Sequence, residues 1–132
     1  MKGYLGDIEQ ITLANNNFRE VLYTGKNSQL VVMVLKSGQD IGTEIHAEHD
    51  QFFRFEAGNG KVIIDGVENE VKDGSAVIVP AGAEHNVINT SETEDLKLYT
   101  IYSPPEHRYD VIHKTKEEAL ADDEHFDGTT NE

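Results

Sequence analysis

The chain has 132 residues, of which 37% are hydrophobic and 27% charged, and this size and composition fit one globular domain with its own core. It contains no cysteine, which excludes disulfides and thiolate metal sites, so any metal must be held by nitrogen and oxygen ligands. The formal charge of −14 argues against binding to nucleic acid or to anionic membrane surfaces, because both need clustered Lys and Arg.

The N-terminal segment, MKGYLGDIEQIT, lacks the continuous apolar stretch of a signal peptide. No apolar run approaches the length that spans a bilayer. We therefore expect a cytoplasmic protein. Within this segment, residues 7–13 fit either a short helix or an edge strand, and the pattern does not separate the two.

From residue 30 onward, short apolar runs alternate with breaks that carry Gly, Asn or Asp, a pattern typical of many short strands. The predicted strands cover residues 30–35, 51–56, 62–64, 67–71, 76–79, 85–89 and 96–102. Asp65-Gly66 is the clearest hairpin signal, because this pair favours the two-residue turn between antiparallel strands. Many short antiparallel strands in one small domain predict an all-β sandwich or barrel.

Ser103-Pro104-Pro105 closes the β region, so we expect a barrel over residues 18–103 and a tail over residues 104–132, all within one domain. Thr115 and Glu118 have the spacing of a capping box, which predicts a short C-terminal helix over residues 116–124. The tail carries three histidines, which we expect to be exposed to solvent. The alternative is that they fold over the mouth of the barrel and supply an acid–base group or a substrate contact. The three histidines are His107, His113 and His125.

Residues 74–89 form the most informative segment, a short apolar strand, a Pro/Gly turn and a second strand that a histidine opens. Its fixed positions resemble the second motif of the cupin barrels, and they are occupied by Gly74, Pro80, Gly82, His85 and Asn89. The resemblance implies a double-stranded β-helix, the jelly-roll barrel of the cupins. It also implies a metal site at the centre of the barrel, with His85 as a ligand.

The first cupin motif lies within residues 38–60 and is degenerate. The resemblance puts Glu44 and His46 at the family's two histidine positions and Gln51 at its glutamate position. Glu44 and His46 are two residues apart, so on one strand they project from the same face. The implied metal ligands are one carboxylate, two imidazoles and one amide oxygen, from Glu44, His46, His85 and Gln51.

Two histidines and one carboxylate with open positions form the facial triad of non-haem iron sites, and an oxygen-rich ligand set favours Fe(II) or Mn(II). Zinc and nickel stay possible, because imidazole suits both. His49 is a further ligand if the loop bends, and is otherwise an exposed loop histidine. Gln51 is explained equally well as a buried amide that bonds the backbone.

Alternation from Gln51 predicts that Phe53 and Phe55 face inward beside the site, whereas Phe52 and Arg54 face outward. An outward Phe suggests a covered surface, and since cupins commonly pair through such a sheet, we expect a homodimer. Strands also hold the polar side chains that we expect to line the cavity. These are Asn89, Tyr99, Thr100 and Tyr102.

The resemblance implies a divalent-metal-dependent enzyme that acts on a small polar molecule, either dioxygenase-like or sugar-isomerase-like. The alternative is a non-catalytic cupin that binds or senses a small ligand through the same metal. A third possibility is a structural metal, for which closed tetrahedral coordination would be the sign. The sequence identifies neither the substrate nor a catalytic residue.

Overall fold

The computed structural model describes residues 2–132, and within them the chain forms ten strands and two short helices. In chain order these are α1 (Ile8–Ala14), β1 (Arg19–Thr24), β2 (Gln29–Leu35), β3 (Glu44–Ile45), β4 (Asp50–Ala57), β5 (Asn59–Ile64), β6 (Val67–Lys72), β7 (Ala76–Val79), β8 (Glu84–Asn89), β9 (Leu96–Ser103), β10 (Ile112–His113) and α2 (Lys116–Ala121). All seven predicted strands are present. The strands β1, β3 and β10 were not predicted, and two of them are only two residues long.

Two antiparallel sheets pack face to face and confirm the predicted all-β barrel. One sheet has the strand order β10-β1-β2-β9-β4-β7, and the other has the order β3-β8-β5-β6. Apolar side chains from the inner faces fill the space between the sheets, and the largest of them are Phe53 and Phe55, both fully buried. Phe52 and Arg54 alternate with them and face outward, as the strand period requires.

The hairpin between β5 and β6 turns at Asp65-Gly66, as predicted. Both residues have positive φ, 47° for Asp65 and 81° for Gly66, which matches the two-residue turn favoured by the twist of antiparallel strands. Asp65 also accepts a hydrogen bond from the backbone N–H of Glu84 at 2.9 Å. This contact ties the hairpin to the start of β8, the strand that carries His85.

Both helices begin at side-chain caps. Asp7 accepts a hydrogen bond from the N–H of Gln10, so the ambiguous N-terminal segment is a helix. Thr115 accepts from the N–H of Glu118, as the capping box predicts. The second helix ends at Ala121 rather than residue 124, because Asp122 is extended and its side chain contacts a buried histidine. No helix within residues 2–132 is long and apolar enough to cross a membrane.

The chain beyond β9 folds back across one end of the barrel. The buried amide of Gln29 holds it there, because Oε1 accepts from the N–H groups of Glu106 and His107 while Nε2 donates to the carbonyl of His107. Strand β10 then pairs with the outer edge of β1. The tail is therefore part of the wall of the barrel, and its side chains reach the interior.

Candidate metal centre

Three of the predicted ligands meet at one point inside the barrel. Strand β3 pairs with β8 so that Glu44 stands opposite His85, and His46 follows directly after β3. One ligand atom from each of these three side chains lies within 4.8 Å of the other two. The two motifs, separated by about 40 residues of sequence, are thus brought together by strand pairing.

His85 is held in the tautomer that a metal ligand needs. Its Nδ1 lies 3.2 Å from the carbonyl oxygen of Ala83, which can only accept a hydrogen bond. Nδ1 therefore carries the proton and Nε2 keeps a free lone pair. Burial lowers the pKa of His85, which is only 5% exposed, so the neutral ring is favoured. A backbone carbonyl that fixes the ring in this way is the usual outer contact of a metal-binding histidine.

Nε2 of His46 lies 2.7 Å from Oε2 of Glu44, yet the ring nitrogen makes no hydrogen bond of acceptable geometry with any described residue. Burial opposes ionisation of Glu44, but contact with His46 and the charge of Arg19 lower the pKa of its carboxyl below the ordinary value. Burial likewise opposes the charge on His46, but Glu44 raises the pKa of the ring. The two ligand atoms lie close together without a well-aligned hydrogen bond, an arrangement that a shared cation would complete.

Gln51 points into the barrel from β4, on the opposite sheet, and is 2% exposed. Its Nε2 donates to Oγ1 of Thr100 at 3.0 Å, whereas its Oε1 is buried without a partner among the described residues. A buried amide oxygen without a donor is costly. The unpaired oxygen fits a metal ligand, and the amide bonds a side-chain hydroxyl rather than the backbone.

His49 does not join the cluster. Its Nδ1 lies 2.7 Å from the carbonyl oxygen of Pro104, and its Nε2 lies 2.9 Å from Oε2 of Glu106. Both ring nitrogens are therefore occupied. The same oxygen of Glu106 lies 3.7 Å from Nδ1 of His46, so this carboxylate places a negative charge beside the outer edge of that ring. Sequence reasoning missed Glu106, because its position depends on the backbone bonds to Gln29 rather than on any motif.

A chain of three buried side chains runs from the tail into the barrel. Nδ1 of His107 lies 2.6 Å from Oε2 of Glu124, and Nε2 lies 3.2 Å from the hydroxyl of Tyr102. An ionised Glu124 can only accept hydrogen bonds, so Nδ1 of His107 donates to it. Nε2 of His107 then accepts a hydrogen bond from the hydroxyl of Tyr102. The pKa directions agree with this assignment. Burial lowers the pKa of His107 and raises that of Tyr102. Burial also opposes ionisation of Glu124, but the bond from His107, the charge of that ring and the N–H of Arg108 together lower the pKa of the carboxyl.

A second chain of the same kind holds Arg19, the first residue of β1. Nη1 of Arg19 lies 3.3 Å from Nδ1 of His113, and Nε2 of His113 lies 3.0 Å from Oδ2 of Asp122. A guanidinium can only donate, so Nδ1 accepts and Nε2 donates to Asp122. His113 is 4% exposed. Both chains thus pass through a buried histidine to a carboxylate that lies just beyond α2.

The predictions about the polar residues that line the cavity are partly confirmed and partly wrong. Thr100 and Tyr102 face the interior, but Tyr99 does not, because it alternates with them on β9 and packs its ring near Phe52 on the outer face. Asn89 is buried but bonds the carbonyls of Leu35 and Glu94, so it stabilises the fold rather than lining the cavity.

The expectation that the tail histidines are solvated holds for His125 alone, whose side chain is 73% exposed. His107 and His113 are buried instead. The sequence held one signal for this burial, the acidic residues that follow α2, two of which accept from the buried rings.

Comparison with known proteins decides the family. A family model described as a cupin domain matches residues 31–102, which span more than half of the chain. The chain belongs to the cupin family. The match extends from β2 to β9 and includes all four predicted ligands, but it leaves Arg19, His107 and His113 outside.

This cupin is 46% identical to the YrkC protein of Bacillus subtilis (strain 168) over 126 residues, which cover 91% of this chain and 67% of YrkC. It is 41% identical over 108 residues to the L612 protein of Acanthamoeba polyphaga mimivirus, covering 79% of this chain and 67% of L612. The crystal structure of the BH2720 protein of Bacillus halodurans is also similar, with a TM-score of 0.89 and 41% identity over 92% of this chain and 96% of that one.

Proposed function

We propose that this cupin is a divalent-metal-dependent enzyme that acts on a small polar molecule, with Glu44, His46, Gln51 and His85 as the metal ligands. The observation that carries the proposal is the convergence of Glu44, His46 and His85 within 4.8 Å, with the lone pair of His85 left free. The oxygen-rich ligand set favours Fe(II) or Mn(II), with Zn(II) or Ni(II) as alternatives. A divalent ion held there polarises a carbonyl or activates oxygen.

The buried chain from Glu124 to Tyr102 supports an enzyme that transfers protons, such as an isomerase. Tyr102 is buried and protonated, and its ring centroid lies 5.8 Å from that of His46. His107 accepts a hydrogen bond from the phenol and is held in the required tautomer by Glu124. A phenol backed by an imidazole and a carboxylate has the layout of a general acid–base group.

The proposed partner is a small molecule rather than nucleic acid or a membrane, which the charge of −14 supports. We further propose that the protein is cytoplasmic and pairs as a homodimer. An apolar row on the outer face of the six-stranded sheet supports the dimer. By strand register it runs through Ile78, Phe52, Ile101 and Leu30.

Metal analysis tests the site directly. Wild-type protein, Glu44→Ala, His85→Ala and the exposed-histidine control His125→Ala are purified, loaded with Mn(II) or Fe(II), desalted and measured for bound metal. We expect near-stoichiometric metal in the wild type and the control, and at least a tenfold loss of affinity in the two ligand variants. Full metal content in both ligand variants would refute the site.

A second experiment separates the reaction types. The Fe(II)- and Mn(II)-loaded proteins are incubated with small phenols and diketones while oxygen uptake is recorded. The same samples in D2O are followed by NMR for exchange of carbon-bound hydrogen in the diketones. Exchange that Tyr102→Phe abolishes supports proton transfer, and oxygen uptake without exchange supports a dioxygenase. If neither occurs while metal-dependent ligand binding persists, the protein is a non-catalytic binding module.

A further inference from the structure

Arg19 is the only lysine or arginine among residues 2–132 that is buried, with 7% exposure. It projects from β1 between the two sheets, where its charge stabilises the ionised form of Glu44 on the opposite sheet. No carboxylate of the described residues forms an ion pair with it. A buried charge without a direct counter-ion is costly, because it has lost its hydration shell without gaining a partner.

The guanidinium is nevertheless held in a defined orientation. His113 accepts from Nη1, and Asp122 fixes the tautomer of His113 from the other side. The ring of Phe18 packs against the group, with its centroid 5.3 Å from Cζ. Three residues from three different segments therefore orient a cation that forms no ion pair with a carboxylate of the described residues. Such preorganisation is what a ligand-binding arginine requires.

The edge of the guanidinium that His113 leaves free has the geometry of an oxyanion fork. The N–H of Nε is buried and has no hydrogen-bond partner, and no acceptor within the described part of the chain bonds Nη2 either. Nε and Nη2 together form the side-on edge that binds the two oxygens of a carboxylate. A buried donor without an acceptor among the described residues is available to a group supplied from outside the protein.

We propose that this edge of Arg19 binds the carboxylate of the small molecule on which the metal site acts, so that the ligand is a small monocarboxylate. The inference rests on the proposed function and narrows its substrate class. Charge decides against a phosphate ester. Arg19 neutralises one negative charge, whereas a phosphate monoester carries nearly two, and no other lysine or arginine of the described residues is buried to match the second charge.

Formate and acetate are suitable probes, because the smallest carboxylates occupy the fork without needing the rest of the ligand. Each is titrated into the protein as purified and into Mn(II)-loaded protein at constant ionic strength, with melting temperature and heat of binding as readouts. Sodium chloride, neutral acetamide and inorganic phosphate serve as comparison solutes. The variants are Arg19→Gln, Arg19→Lys, which keeps the charge but loses the fork, and Arg108→Gln, which removes an exposed arginine.

We expect formate and acetate to raise the melting temperature saturably in the wild type and in Arg108→Gln, with no effect of acetamide. Both Arg19 variants should weaken the apparent affinity at least tenfold and keep their metal content. The proposal would be overturned if the wild type showed no saturable binding of formate or acetate. It would also be overturned if the wild type and Arg19→Gln bound them with equal affinity. Tighter, Arg19-dependent binding of phosphate would also overturn it. Metal content reports separately on the proposed function, since loss of metal in Glu44→Ala and His85→Ala stands whichever anion result is obtained.

Discussion

Gln51 on β4 stands directly opposite Tyr102 on β9 in the six-stranded sheet. One member of this pair is a predicted metal ligand, and the other ends the buried chain that begins at Glu124. Because both side chains point into the barrel, the pair joins the proposed metal centre to the proposed acid–base group. Burial raises the pKa of Tyr102, and the charge of Arg19 and the nearby amide of Gln51 oppose that rise. The two halves of the site are therefore adjacent through ordinary strand pairing.

Replacing Gln51 by glutamate should destabilise the metal-free protein but increase its affinity for metal. Gln51→Glu introduces a buried carboxylate at a position where Oε1 has no donor among the described residues, so we expect the metal-free protein to lose about 1–3 kcal/mol of unfolding free energy. With Mn(II) present, the added charge should raise metal affinity at least tenfold. Denaturant melts with and without metal, together with calorimetric titration, measure both effects.

The matched control for this substitution is Gln10→Glu, which makes the same chemical change at an exposed helix position. Its stability and metal affinity should stay at the wild-type values. If Gln51→Glu weakens Mn(II) binding, Gln51 is a buried structural amide and not a ligand. Equal stability of the metal-free wild type and Gln51→Glu would show that the oxygen of Gln51 is not buried without a donor.

His107 should make the protein less stable in mild acid. Because burial lowers its pKa in the folded protein, the unfolded chain binds a proton on this residue that the folded chain does not. Stability from His107 is therefore complete above its unfolded pKa, about 6.5, and is lost as the pH falls towards the folded value. We expect His107→Asn to flatten the pH dependence of unfolding free energy between pH 7 and 5, by up to about 1.4 kcal/mol per pH unit.

Urea melts at half-unit pH intervals test this prediction, and His125→Asn is the control, because His125 is exposed. The control should keep the wild-type slope. Parallel pH profiles for wild type and His107→Asn would contradict the neutral, buried state of His107.

Glu124 should contribute far more to stability than the other acidic residues of the tail. Its carboxylate accepts from Nδ1 of His107 at 2.6 Å and from the N–H of Arg108 at 2.7 Å, and its side chain is 4% exposed. Glu124→Gln removes the charge from two charge-assisted bonds, so we expect a loss of about 1.5–3 kcal/mol. Glu117→Gln changes an exposed residue of α2 and should alter stability by less than about 0.5 kcal/mol. Thermal and denaturant unfolding of the two variants compare them, and equal effects would contradict a specific role for Glu124.

The fold and the metal cluster were predictable because both follow from short-range patterns. The turn at Asp65-Gly66 requires particular residue types, and the segment that ends in His85 and Asn89 has a fixed spacing. Glu44 and His46 could be placed because the family's first motif fixes their distance from Gln51 along the chain. In each case the information lies within a few neighbouring residues, where sequence and geometry are tightly linked.

The contribution of the tail was not predictable in the same way. The position of Glu106 depends on bonds from a backbone N–H to Gln29, about 77 residues earlier in the chain. Burial of His113 depends on the pairing of the two-residue strand β10 with β1, and so short a strand carries no pattern. Contacts between distant segments decide which polar residues of a loop are buried. Composition alone predicts that an acidic tail is exposed to solvent, which is the opposite of what the structure shows for His107 and His113.

The apolar row on the outer sheet face should mediate the proposed homodimer. Ile78 is 66% exposed and lies beside Phe52, which in turn lies beside Ile101. Burying this row against a second copy removes apolar surface from water, so we expect a dimer by size-exclusion chromatography with light scattering. Ile78→Glu should produce monomers, because it would place two like charges within the interface. Val67→Glu is the control, since Val67 is 63% exposed on the four-stranded sheet and should leave the dimer intact. A wild-type monomer, or a dimer that survives Ile78→Glu and Phe52→Glu alike, would exclude this face as the interface.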